Sequence, residues 1–133
     1  MKRYLILYFT TALVLLPLDF LFLGVLARNF FASEVGSMLG EVKPLPAALF
    51  YLLYILGILI FVSGAASASL GSALAYGALF GLFCYATFEL TSLSLLRHWS
   101  WRVALLDISW GMIVTAVSAT IGLFITDWIT PRA

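Results

Sequence analysis

Four apolar runs, at positions 4–27, 46–66, 70–92 and 103–126, each extend for about 20 residues or more, enough at 1.5 Å per residue to cross ~30 Å of hydrocarbon. A bilayer core has no water to satisfy backbone N–H and C=O groups, so only helices and closed barrels span it. The runs lack the alternation of a barrel strand. The sequence therefore predicts an all-α integral membrane protein, a four-transmembrane-helix bundle. Its composition is 64% hydrophobic and 10% charged, against about 45–50% and about 25% in soluble domains, which leaves no surface to face water. At 133 residues it is expected to form a single domain, 1–133. Lys2 and Arg3 ahead of an apolar stretch resemble a secretory signal, with Val25-Leu26-Ala27 as a cleavage site. The apolar run continues through Phe20, Phe22 and Leu23, longer than a signal core, so a retained span is expected.

The connections carry most of the charge. Positions 28–45 hold Arg28, Glu34, Glu41 and Lys43 among Phe30, Phe31, Val35, Met38 and Leu39. The helical spacing of 31, 35, 38 and 39 predicts a short interfacial helix between spans 1 and 2, ended by Gly40 and Pro44. Positions 67–69 form a tight, uncharged link. Positions 93–102 gather Arg97, His98, Trp99, Trp101 and Arg102, an interfacial mixture of cations and aromatics, and Trp128 marks the other interface. Lys2, Arg3 and Arg132 flank one side of the membrane, and Arg28, Lys43, Arg97 and Arg102 the other. That balance does not orient the chain by the positive-inside rule. If the N-terminal pair dominates, a bacterial inner-membrane protein with cytoplasmic termini is expected.

Three of the six carboxyl side chains, Asp19, Glu89 and Asp107, lie inside these spans. Each costs roughly 2.5–3.5 kcal/mol to insert, so each needs a partner, water or a function. Asp19 falls roughly 12 Å in from the end of the first span. Glu89 falls in the last turn of the third span and Asp107 about a turn into the fourth, so all three approach one membrane face. Tyr51 and Tyr54 reach the same level. Helical spacing aligns Gly71, Ala75, Ala78, Leu82, Tyr85 and Glu89 on the third span. It aligns Asp107 with Trp110, Gly111, Ser118 and Gly122 on the fourth, and Tyr8 and Ala12 with Asp19 on the first. Small residues allow close helix approach in lipid, so these are expected to be the packing faces. Gly77 and Gly81 lie on a neighbouring face and are left for another helix or a homodimer. Pro17 removes the amide that would bond the Leu13 carbonyl and is expected to kink the first span beside Asp19, a way to build a polar pocket.

Each feature has a plainer reading. Glu89 can be a helix-end acid paired with Arg97 or Arg102, and Asp107 is favoured by the dipole at a helix N-terminus. Asp19 is too deep for either explanation. His98 reads as an interfacial side chain, and no metal site is expected from one histidine and scattered acids. Cys84 is the lone cysteine, which excludes an internal disulfide and paired-thiol redox chemistry. No zinc-protease, phosphate-loop or serine-nucleophile motif is present, so no cofactor is expected. A net charge of +1 without basic runs points away from nucleic acid.

Leu18-Asp19-Phe20, Pro46-Ala47 with Tyr51 and Tyr54, Tyr85-Ala86-Thr87-Phe88-Glu89-Leu90-Thr91-Ser92 with Trp99, and Asp107-Ile108-Ser109-Trp110-Gly111 together resemble a family of small bacterial four-span membrane proteins, domain of unknown function twenty-one seventy-seven. The resemblance covers nearly the whole chain. The family's third-span motif reads Tyr-Ala-Thr-Tyr-Asp-Leu-Thr-Asn, from which Phe88, Glu89 and Ser92 depart. Glu for Asp moves the charge by one methylene, and Ser92 replaces an amide, so the family's ligand geometry is not carried over there. The resemblance implies a four-span layout and a recurring constellation of Asp19, Glu89, Thr91, Asp107 and Trp110, without an activity.

Three functions fit these residues. The first is binding or transport of a small ligand or ion through an acid-lined pocket of Asp19, Glu89 and Asp107, walled by Tyr51, Tyr54, Tyr85 and Trp110, with Thr91 and Arg97 at its edge. Four spans are few for a path across the bilayer, so a homodimer would complete it. The second is an accessory subunit of a membrane complex, with the acids paired to Arg97 and Arg102. The third is an enzyme using a carboxyl as general acid on a lipid or quinone.

Overall fold

The fold is given by a computed structural model that describes residues 2–26, 28–35 and 43–132. Helix α1 covers Lys2–Leu21 and passes directly into a π-helical turn, Phe22–Leu26. A short α2, Arg28–Val35, follows. Helix α3, Pro44–Ile58, is continued by a second π segment, Leu59–Ser63. Helices α4, Leu70–Leu95, and α5, Trp101–Ile129, complete the chain. Four helices, Lys2–Val25, Pro44–Ser63, Leu70–Leu95 and Trp101–Ile129, are long and apolar enough to cross a membrane.

Local chemistry sets several boundaries. Ser69 opens α4 with a reciprocal capping box, its hydroxyl accepting from the Ser72 amide at 3.1 Å while the Ser69 amide donates to the Ser72 hydroxyl at 2.8 Å. The Ser100 hydroxyl accepts from the Val103 amide at 3.0 Å and starts α5 two residues before the apolar run. Pro44 begins α3, where its missing amide costs nothing, so it does not end the preceding helix. Met38, Leu39 and Gly40, the other residues assigned to that helix and its end, lie outside the described residues. Helix α1 runs through Pro17, which sits on an exposed face.

Neighbouring spans run antiparallel, and the largest interface joins α4 to α5, followed by α1 with α5. The α4–α5 contact corrects the expected packing face. Gly71 and Ala75 are exposed, whereas Ala73, Gly77, Gly81, Glu89 and Ser92 are buried. A methyl group on Gly77 would stand 2.9 Å from the Ala116 Cα, and one on Gly81 would collide with the Gly111 carbonyl. Gly77 and Gly81 thus serve the intramolecular contact with α5. In lipid, where apolar burial between helices gains little, such backbone approach is what dispersion contacts need.

Polar bonds tie α1 to its neighbours. The Thr10 hydroxyl lies 3.1 Å from the Gly122 carbonyl and 2.9 Å from the Thr126 hydroxyl, and Thr126 also donates to Gly122 at 2.7 Å. The Tyr8 hydroxyl donates to the Leu52 carbonyl at 3.0 Å. At the end holding both termini, Asp127 pairs with Arg3 and with Arg132, the latter at 2.9 Å. Arg3 also donates to the Thr130 carbonyl at 2.9 Å, and Arg132 reaches the Ala66 carbonyl at 3.0 Å. The opposite end therefore carries α2 and the acids.

The two faces of α4 respond differently to bulk. Gly81→Leu is expected to force α4 from α5 and lower stability by roughly 1–3 kcal/mol, whereas Ala75→Leu stays within about 0.5 kcal/mol of wild type. Thermal unfolding in one detergent, followed by circular dichroism, measures both.

Candidate functional site

Asp19 is buried, with 3% of its surface exposed. One carboxylate oxygen accepts from the Tyr51 hydroxyl of α3, the other from the Trp110 indole N–H of α5 at 2.9 Å. Three helices thus meet at one side chain. The π turn after α1 contributes to the same arrangement. Phe22, its first residue, lies flat against the Trp110 indole, with centroids 4.3 Å apart and planes within 7°. Tyr51 is held edge-on by Phe20 at 5.9 Å and by Phe50 at 5.1 Å. Both donors to Asp19 are therefore fixed by aromatic neighbours on either side of it.

Glu89 is 1% exposed, and its carboxylate accepts from the Trp99 indole N–H at 2.7 Å. Helix α4 continues to Leu95, so Glu89 lies well over a turn inside it, not in its last turn. Asp107 likewise sits nearly two turns into α5, because that helix starts at Trp101. The Asp107 carboxyl lies against Glu89 and close enough to Asp19 for their charges to interact. Beneath the acids, the Tyr54 and Thr115 hydroxyls bond at 2.6 Å, and Tyr54 meets Tyr85 edge-on at 6.0 Å. Tyr85 rests on Gly111, where any side chain would overlap its ring. These tyrosines separate the acids from the aliphatic centre of the bundle.

The structure thus brings together Asp19, Glu89, Asp107, Tyr51, Tyr54, Tyr85 and Trp110. Thr91 does not join them. It is exposed, and its carbonyl accepts from the Ser94 hydroxyl at 2.8 Å. Arg97 is exposed as well. Arg102 pairs with Glu34 at 3.8 Å and lies 5.6 Å over the Phe30 ring, so neither arginine neutralises the acids. Being 76% exposed at its side chain, Arg102 keeps its charge in interfacial water and gains only about 0–1 kcal/mol from such a pair. Trp99 and Phe22 were not assigned to the site by sequence. An indole one short link beyond Glu89 was the available signal for Trp99, whereas nothing in residue type announces the π turn that presents Phe22. Ser92 is buried on the face of Glu89, and Ser100 donates to Glu34 at 3.2 Å.

The electrostatics follow from this donor set. Among the described residues the hydroxyl and indole donors to Asp19 and Glu89 are neutral, and no lysine, arginine or histidine pairs with any of the three acids. Two like charges ~4 Å apart repel by about 4 kcal/mol at an effective dielectric of 20. Carboxyls in contact therefore call for a proton or another cation between them. Among the described residues no group of three metal-ligating side chains is close enough to hold a metal ion, so the acids adjoin without converging on one point.

If indoles rather than arginines hold the acids, Trp99→Phe and Trp110→Phe should each lower stability by about 1–3 kcal/mol, leaving a buried acceptor unsatisfied. Arg97→Gln and Trp128→Phe should remain within about 0.5 kcal/mol of wild type. Thermal unfolding of the four variants checks this.

Residues 4–124 match the family described as "Predicted membrane protein (DUF2177)". No curated protein matches the chain, and no solved structure does. A family match over nearly the whole length, on a bundle with four candidate spans, supports one conclusion: the chain belongs to the DUF2177 family of membrane proteins.

Proposed function

We propose that this membrane protein binds a small ligand or ion, and passes it toward or across the bilayer, at the cluster of Asp19, Glu89 and Asp107. The observation that carries the proposal is the donor set, in which three carboxyls from α1, α4 and α5 adjoin with only neutral Tyr and Trp partners among the described residues. Acids inside a membrane bundle are costly, persist only with partners and mark ligand or proton pathways. With no lysine, arginine or histidine among the described residues paired to the three acids, a positively charged ligand or a proton is the species that complements them in this reading. A proton satisfies that requirement, and so does a small cation or a molecule bearing an ammonium group beside the Tyr51 and Trp110 rings. Tyr54 and Tyr85 lie beneath the acids, and in this reading passage beyond them calls for a second copy to complete the path. The bacterial inner membrane, with Lys2, Arg3 and Arg132 at the cytoplasmic face, is the setting in which this reading is framed.

Asp19→Asn keeps the shape of the side chain, with its oxygen still able to accept from the Trp110 indole and its amide able to donate to the Tyr51 oxygen, but it removes the charge. Proton and organic-cation uptake by proteoliposomes containing wild type or Asp19→Asn tests the proposal. A loss of about tenfold or more is expected, matching the ~1.4 kcal/mol or more that one buried charge contributes to binding. Equal uptake by a normally folded variant would remove Asp19 from the mechanism.

A further inference from the structure

We propose that α2 is a gate over the acid cluster, latched shut by Glu34 on the first turn of α5. The proposal concerns regulation of that same site and rests on its reading as a binding site. Helix α2 begins just after the π turn whose Phe22 stacks on Trp110, the donor to Asp19. Near its other end, Glu34 accepts from the Ser100 hydroxyl at 3.2 Å and faces the Arg102 Nε at 3.8 Å. Ser100 directly follows Trp99, the donor to Glu89. The short helix therefore runs from one indole that holds an acid to the neighbourhood of the other, across the end of the bundle where the acids lie.

The latch is built to release. Its ion pair is long, and the Arg102 side chain is 76% exposed, so solvent and salt screen it. A helix of eight residues is too short to persist in water by itself, so its contacts with the π turn and α5, the Glu34 latch among them, keep it docked. Ser100 separates the latch from the fold. Its oxygen accepts from the Val103 amide to cap α5, while its hydrogen goes to Glu34. Opening α2 forfeits the second bond and leaves the first, so the gate can swing without unravelling α5. The π turn at its base offers a hinge, since such segments interrupt regular helical bonding and recur at functional sites.

The test uses Glu34→Cys with Arg102→Cys in a Cys84→Ala background, in lipid nanodiscs open to solvent on both faces. A water-soluble carbodiimide with an amine nucleophile labels carboxyls, and peptide mass spectrometry reads the rates at Asp19, Glu89, Asp107 and Asp127. Without cross-linking, the three clustered acids should react about fivefold faster than in the Cys84→Ala parent, the shift expected from losing one exposed latch. Bridging the two thiols with a short bismaleimide should bring the rates back to the parent's level or below. Asp127, at the opposite end, should keep its rate throughout. Arg102→Gln, which adds no thiol, should give the same selective rise. Equal rates at the clustered acids with and without the bridge would overturn the gate, and so would a rise shared by Asp127, which signals general loosening. These rates do not depend on any ligand. Failure of the gate therefore stays separate from failure of the binding proposal, which Asp19→Asn uptake reads.

Discussion

Asp19, buried at 3% exposure, accepts two hydrogen bonds, from Tyr51 and Trp110, and much of the structure is arranged around making them. The bonds require α1, α3 and α5 to meet at one level. That requirement fixes the vertical register of α1 against α5, which the Thr10–Gly122–Thr126 bonds and the Arg3–Asp127 pair repeat further along. Phe22 and Phe20 then immobilise the two donors. Losing any one of these contacts exposes a buried acceptor at a cost of about 1–3 kcal/mol, comparable to the insertion cost of the acid itself.

The close approach of α4 and α5 serves the same end. Gly81 lies against the Gly111 carbonyl, and Gly111 gives the Tyr85 ring its place. Because the backbones nearly touch there, Glu89 and Asp107, each further toward the acid end of its helix, are brought into contact. Glycine at these positions thus does two things. It supplies the dispersion contact that holds a helix pair in lipid, and it sets the separation that brings two carboxyls together.

The four spans and their helical state were legible because length and apolarity are local properties, and the bilayer leaves few alternatives. That Asp19, Glu89 and Asp107 share one end of the bundle could be read by counting residues along those spans, although α4 and α5 extend further past Glu89 and Asp107 than the apolar runs do. Which face of α4 turns inward could not. In a soluble helix a polar side marks the outside, but here lipid and neighbouring helix are equally apolar, and small residues occur on both faces. Gly71 and Ala75 therefore looked as suitable as Gly77 and Gly81. The partner of Glu89 was not legible for a related reason. Arg97 and Arg102 lie within reach in sequence, yet long cations extend toward interfacial water, which leaves the Trp99 indole to turn inward. The π turn at Phe22–Leu26 changes hydrogen-bond register without a residue signature, so the contact between Phe22 and Trp110 needed coordinates to be seen.

A cluster of carboxyls with neutral donors is complete only with a positive charge supplied from outside. The measurement that tests this most directly is a high-resolution structure in a lipid nanodisc, with the density between α1, α4 and α5 examined at Asp19, Glu89 and Asp107. The account predicts an ion, or a small molecule bearing a positive charge, touching at least one of the three carboxyls, or hydrogen density on a carboxyl oxygen between Glu89 and Asp107. A buried lysine or arginine paired with these acids, with no added species or shared proton between them, would contradict it.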